Sequence, residues 1–323
     1  MRSVLAYAWV ATSHGLTPFS MTPLQTIVGL GEILWDLLPS GRQLGGAPAN
    51  FAYCSHLLGD RGVVASRVGS DEFGGDIRQS LLALGITDQF LQVDSGRPTS
   101  TVQVQVDAEG QPRFEIVDPV AWDFLEWTPT WKALAQSADA VCFGSLAQRH
   151  AQSRRTILKF LEATRPEALR IFDVNLRQNF YSQEVIYESM KRSNVIKLNH
   201  EEVPRIADLL SMSGTDMQSF CAEVIAKFHL QLICITRGIN GSLLCTKDHT
   251  VEHPGFTVQV ADTVGAGDAF TAALVHEFLR GSTLQQMNDS ANRMGAWVAS
   301  RHGAMPKLPE EGLAQALADL QPR

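Results

Sequence analysis

From residue 25 onward, short apolar runs alternate with stretches of helical spacing. Thr26 to Leu30, Val63 to Val68, Ala140 to Phe143, Arg170 to Val174, Val195 to Leu198 and Leu232 to Thr236 are mostly apolar, as strands buried on both faces are. Between them, residues 49–58, 73–84, 152–164, 182–192 and 216–228 carry helical spacing, and Gly59 and Gly85 stop the first two. Parallel neighbours need a crossover long enough to hold a helix, so this order predicts an α/β fold. Its sheet is expected to be mostly parallel, with helices on both faces. At 323 residues, 45% hydrophobic and 19% charged, the chain suffices for one such domain.

One segment breaks the rhythm. Thr99 to Val106 alternates strictly, Asp107-Ala108-Glu109-Gly110 turns the chain, and Arg113 to Val117 returns. That pattern predicts an antiparallel hairpin with one polar face, and residues 33–38 are candidates to pair with it. Segments 33–45 and 98–118 thus form a small β lid on a domain spanning 25–323. The lid is placed to cover a ligand, and a homodimer through it is a further expectation. Residues 1–24 read as an N-terminal extension outside the fold. Val4 to Ala11 is apolar, but Ser13-His14-Gly15 and Pro18 break it, and Met21 lies just before the first strand.

The remaining composition excludes partners. No run approaches the ~18 apolar residues that span a bilayer, so no membrane is expected. Cys54, Cys142, Cys221, Cys234 and Cys245 are scattered and form no CxxC, which reads as reduced thiols in a cytoplasmic protein. A net charge of −7 argues against a nucleic-acid surface. An anionic ligand must therefore be held by local groups.

Such groups occur in Asp262-Thr263-Val264-Gly265-Ala266-Gly267-Asp268. The stretch lies between an alternating run, Phe256 to Val260, read as a strand, and an apolar helix expected over Ala269 to Arg280 and stopped by Gly281. Strand, glycine turn and helix N-terminus make an anion site, because the first helical N–H groups lack intrahelical partners and the dipole is positive there. Gly265 and Gly267 let a phosphate approach the backbone closely. A carboxylate at 268 repels phosphate, but it fits as the base for a hydroxyl attacking that phosphate. A lone GAGD is equally well an ordinary turn with an acid in the first helical turn. The longer string is more specific: Asp262 to Val275 resembles, position by position, the second signature of the PfkB (ribokinase-like) family of sugar kinases.

Other turns follow strand ends in the order that the family shows. Gly45-Gly46-Ala47-Pro48-Ala49-Asn50 alone is a helix entry turn, and Asp36 alone is a carboxylate able to accept two hydroxyl hydrogen bonds. The resemblance implies that Asp36, Gly45, Gly46 and Asn50 hold the sugar. Asp173-Val174-Asn175-Leu176-Arg177 places alternate side chains toward the crevice beyond the strand ends, although a solvated Asp–Arg loop reads the same. In the family this motif lies near phosphate and sugar, which gives Asn175 to the nucleotide and Arg177 to the substrate. Asn199-His200-Glu201-Glu202 reads as a helix cap, and the resemblance adds Asn199 near the phosphates and Glu202 near Mg²⁺ through water. Thr236, Gly238 and Gly241 form a turn implied to border ATP, with Asn292 behind it. The loop 300–304, with Asp262, is implied to face a monovalent cation such as K⁺.

The resemblance spans residues 25 to 308, and Val120 to Phe124 and Phe172 to Tyr181 look most like bacterial fructokinases. It implies an ATP- and Mg²⁺-dependent kinase of a small-molecule sugar. Asp268 would be its base, and the N–H groups around Gly265, Ala266 and Gly267 would hold the transferred phosphoryl. Fructose is the expected substrate. The alternatives are 2-keto-3-deoxygluconate, ribose or a nucleoside, the last favoured by aromatic Trp35, Phe51 and Trp122, or a catalytically silent sugar-binding regulator. No P-loop GxxxxGK[ST] is present, so if ATP binds, the helix at 265–268 must do that work.

Overall fold

The computed structural model describes residues 24–39, 41–106, 112–213 and 216–323; nearly all of the expected N-terminal extension lies outside them. The strands are β1 (Thr26–Leu30), β2 (Leu34–Leu38), β3 (Gly41–Gly45), β4 (Arg61–Gly69), β5 (Leu91–Asp94), β6 (Thr101–Val106), β7 (Pro112–Ile116) and β8 (Ala140–Phe143). They continue as β9 (Leu169–Asp173), β10 (Val195–Asn199), β11 (Leu232–Thr236), β12 (Ser242–Cys245), β13 (Thr250–His253), β14 (Phe256–Thr257) and β15 (Gln321–Pro322). The helices are α1 (Ala47–Leu57), α2 (Glu72–Ala83), α3 (Pro129–Ser137), α4 (Ala151–Ala163) and α5 (Gln183–Arg192). Then come α6 (Glu202–Leu210), α7 (Met217–Phe228), α8 (Ala266–Leu279), α9 (Leu284–Ala299) and α10 (Leu313–Ala318).

Nine strands form one sheet in the order β13-β12-β11-β10-β9-β8-β1-β4-β5, and only β12 and β13 run antiparallel to their neighbours. All six apolar runs are strands of this sheet. Successive side chains of a strand point to opposite faces, and the core divides accordingly. Val28, Leu30, Ile196 and Leu198 pack with the α3–α7 side, whereas Ile27 and Val195 pack with α1, α8 and α9. Lys197 shares the period of Val195 and so points toward α8.

A second, four-stranded sheet has the order β3-β2-β6-β7. The expected hairpin is β6–β7, paired Val102 to Ile116; its turn at 107–110 lies outside the described residues. Segment 33–38 joins it as β2, parallel to β6 with Trp35 opposite Thr101.

Two expectations around residue 262 are corrected. Phe256 to Val260 is a strand only at Phe256–Thr257, and this pairs with Gln321–Pro322 near the chain end, outside the main sheet. Helix α8 starts at Ala266, three residues before the expected Ala269, which places Asp268 within its first turn. A carboxylate is favoured there by the helix dipole.

Candidate active site

Gly265 caps α8 with φ of 77°, a left-handed conformation that glycine adopts without strain. A Cβ at this position would lie 2.5 Å from the Ala304 Cβ and 2.7 Å from its Cα, so the 300–304 loop packs directly against the turn. The first helical bond runs from Ala269 N to Gly265 O at 2.9 Å, and Ala266 N donates weakly to Thr263 O at 3.3 Å. The Gly267 and Asp268 N–H groups stand outside the helical ladder. Ala266 and Gly267 line a cleft of about 370 Å³. Its polar lining includes Asn199, Thr236, Gly238, Gly241 and Asn292, and its apolar wall includes Ile239, Phe256, Val258 and Phe270.

Asp268 follows cleft-lining Gly267 in the first turn of α8 and is buried. Asn50, in the first turn of α1, donates from Nδ2 to Asp268 Oδ2 at 2.8 Å. Burial, followed by the field of Asp173, pushes the Asp268 carboxyl up to about 6, against Lys197, the Asn50 bond and Arg177. Around one small pocket, Asp268 meets Asp173, Asn175 and Phe51. The resulting carboxylate is desolvated and held by one oxygen, with its basicity near neutrality. Those are the properties of a general base.

On the side of the second sheet, Asp36 of β2 is half-buried, and burial raises its carboxyl to about 6 while Arg177 opposes this. The paired glycines serve this wall. A Cβ on Gly45 would lie 2.5 Å from Asp36 Oδ2, and one on Gly46 (φ 108°) would lie 2.6 Å from Glu32 O. Arg177 is exposed, and its field reaches Asp36, Asp268 and Glu32.

The expected residues fall into groups. Thr236, Gly238, Gly241, Asn199 and Asn292 share the cleft with Ala266 and Gly267. Asn175, with φ of 41°, lines the small pocket beside Asp268. Asn199 Oδ1 also accepts from Glu201 N and Glu202 N at 2.9 Å each, so it caps the turn into α6 while facing the cleft. The Asn292 amide donates to Ser242 Oγ at 2.7 Å and Asn288 O at 2.7 Å, which pins α9 to β12. Glu202 is buried, with Oε1 accepting from Leu176 N at 2.7 Å and Oε2 from Asn199 N at 2.8 Å. Asp262 accepts from Val264 N at 3.0 Å and Gly303 N at 3.2 Å, binding the 300–304 loop to the signature turn.

Sequence reading did not single out Lys197 or Glu32. Lys197, 6% exposed, lies with Nζ 3.1 Å from both carboxylate oxygens of Asp173. Glu32, 4% exposed, has an Oε2 without a hydrogen-bond partner, and burial raises its carboxyl to about 7. A signal existed for the lysine. A cation inside a four-residue apolar strand is costly unless paired, and the facing strand ends in an aspartate. The aromatic residues also divide. Trp122 is wholly buried with the Arg149 guanidinium 4.1 Å from its ring centroid, and Trp35 donates Nε1–H to Phe73 O at 3.0 Å. Of the three, Phe51 lines the pocket at Asp268.

The sequence model of the family described as pfkB family carbohydrate kinase matches residues 41–311. A fructokinase of Escherichia coli is 30% identical over 300 residues, covering 87% of this chain and 95% of that protein. A fructokinase of Vibrio cholerae O395, solved with fructose, ADP and a calcium ion, superposes with a TM-score of 0.77 at 27% identity, covering 92% of this chain and 99% of the other. An uncharacterized sugar kinase of Pyrococcus horikoshii in complex with ATP gives 0.72 at 28% identity, covering 87% and 94%.

Proposed function

The chain belongs to the pfkB family of carbohydrate kinases, and from that premise we propose that it transfers the γ-phosphoryl group of ATP to a primary hydroxyl of a monosaccharide, best read as fructose. The observation that carries this is the position of Asp268. It is a buried carboxylate of raised basicity, hydrogen-bonded to Asn50, in the first turn of the helix whose Ala266 and Gly267 line the cleft. The fructose reading is supported by the relatives named above.

In the reaction the hydroxyl oxygen attacks the γ-phosphorus, and its proton passes to Asp268 Oδ1 while Oδ2 stays on Asn50. The bond from the γ-phosphorus to the β–γ bridging oxygen breaks, and ADP leaves. The free N–H groups of Gly267 and Asp268 face the charge on the transferring group, and Arg177 adds a cation on the sugar side. Asp36 and Asn50 hold the sugar hydroxyls, and the second sheet covers them and excludes water, the competing acceptor. For Mg²⁺ the donor set fits a water-mediated contact, because each Glu202 oxygen already accepts one backbone N–H and keeps a lone pair. Bound with the phosphates, Mg²⁺ supplies charge neutralisation. Asp262 and the 300–304 loop offer hard oxygens suited to K⁺.

A panel of fructose, ribose, 2-keto-3-deoxygluconate and adenosine, assayed for ADP release with Mg²⁺ and K⁺ present, tests the reading. Fructose is expected to give the highest kcat/KM, with the product phosphate on a primary carbon by phosphorus NMR. Turnover of ribose or adenosine with none of fructose would overturn the substrate and leave the kinase. No ADP from any acceptor would favour a silent sugar-binding protein.

A further inference from the structure

Lys197 and Asp173 are buried partners opposite one another in the β9–β10 register, on the sheet face that carries α8. A buried ammonium needs an anion, and Asp173 satisfies that need with both oxygens at 3.1 Å. The pair is tied to the first turn of α8. A Cβ on Gly267 would lie 3.0 Å from Lys197 Nζ, so this glycine leaves room for the ammonium below as well as for phosphate above. Thr271 reaches Asp173 Oδ2 at 3.4 Å and Gly267 O at 2.9 Å. Asp173 and Asp268 line the same small pocket. The ammonium bonded to Asp173 thus lies directly beneath the helical turn that carries Asp268.

We propose that Lys197 and Asp173 are positioning residues that tune the base: the ammonium keeps buried Asp268 ionised, and Asp173 holds that ammonium so that it does not take the Asp268 carboxylate as its own partner. This rests on the assignment of Asp268 as base. The charged groups facing Asp268 are Asp173 from β9, Lys197 from β10, Arg177 from the loop after β9 and Glu32 after β1. Burial pushes the neighbouring thiols of Cys54 in α1 and Cys142 in β8 up, so they remain neutral and add no field. Burial alone pulls the Lys197 ammonium down, but Asp173, then Asp268 and Glu202, reverse this and leave it raised and charged. The two partners act on Asp268 with opposite sign.

That opposition separates tuning from mere support. Lys197→Met is expected to move the acid limb of the kcat/KM profile up by about one pH unit or more, and Asp173→Asn to move it down by a similar amount. The double variant Lys197→Met with Asp173→Leu, which leaves no unpaired charge, is expected to return toward the wild-type limb. It also keeps the test decisive where Lys197→Met alone fails to fold. A readout apart from activity is the infrared carbonyl band of protonated Asp268, identified by its loss in Asp268→Asn and thereby separated from Glu32. Its titration midpoint should move in the same directions. Single variants that shift the band in one common direction, or leave it in place, would overturn the tuning role while sparing the base. Full turnover of Asp268→Asn would end the base assignment and leave the band shifts standing.

Discussion

The cleft assigned to ATP and the carboxyl groups assigned to the sugar side adjoin at the first turn of α8 and are built from different materials. The ATP side presents glycine turns, helix N–H groups and an apolar wall from Ile239 to Phe270. The sugar side presents Asp36, Glu32 and Asp268, carboxyls that burial has raised to between about 6 and 7. The difference follows from the ligands. A polyanion is well served by fixed dipoles that hold no charge of their own to desolvate. An uncharged sugar must be oriented by strong acceptors, and one of its protons must be removed, so this side needs ionisable groups despite the cost of burying them.

The contrast breaks most visibly at the junction. Asp268→Asn keeps size and the Asn50 contact region but removes the base, and kcat should fall by roughly 10²–10⁴ while nucleotide affinity is largely kept. Steady-state kinetics with a parallel nucleotide titration reads both. A backbone change on the ATP side should act differently. Gly265→Ala forces a Cβ into a left-handed turn and against Ala304, so the helix start must shift. A displacement near 1 Å at such a site costs up to about 10² in rate, here with the nucleotide affinity falling as well.

On the sugar side alone, Asp36→Ala leaves a hydroxyl unpaired in a half-buried site, a loss of about 1–3 kcal/mol. The KM for fructose should rise about ten-fold or more while the KM for ATP changes little. The last effect is on stability, not on rate. Asp268 has a raised folded pKa, so the folded state binds its proton more tightly than the unfolded chain does. Stability from this group is therefore present at low pH and lost as pH rises through the interval ending near 6. Asp268→Asn removes the penalty and should stabilise the protein by up to about 3 kcal/mol at pH 7.5, with little gain below pH 4, as urea titrations at the two pH values would show.

The two sides were also unequally legible in the sequence. Gly265, Gly267 and the strand-end turns could be read because glycine marks where backbone must turn or be approached. Lys197 could be noticed as a cation inside an apolar run, but its pairing with Asp173 could not be read, because two short apolar strands do not state which is neighbour to which. Phe256 to Val260 misled for a related reason. Its alternation is that of a strand, but its pairing partner is Gln321–Pro322, more than sixty residues away. Asp268 itself was found by residue type and place, while its raised basicity needed the packing of α1, α8 and β9 around it.

The most direct test is the pH dependence of kcat/KM for fructose in the wild type and in Asp268→Asn. A wild-type rate that falls below about pH 6, and a slow Asp268→Asn variant whose residual rate lacks that limb, are the predicted results. An Asp268→Asn variant that turns over at the wild-type rate, or keeps the same acid limb, would contradict Asp268 as the base.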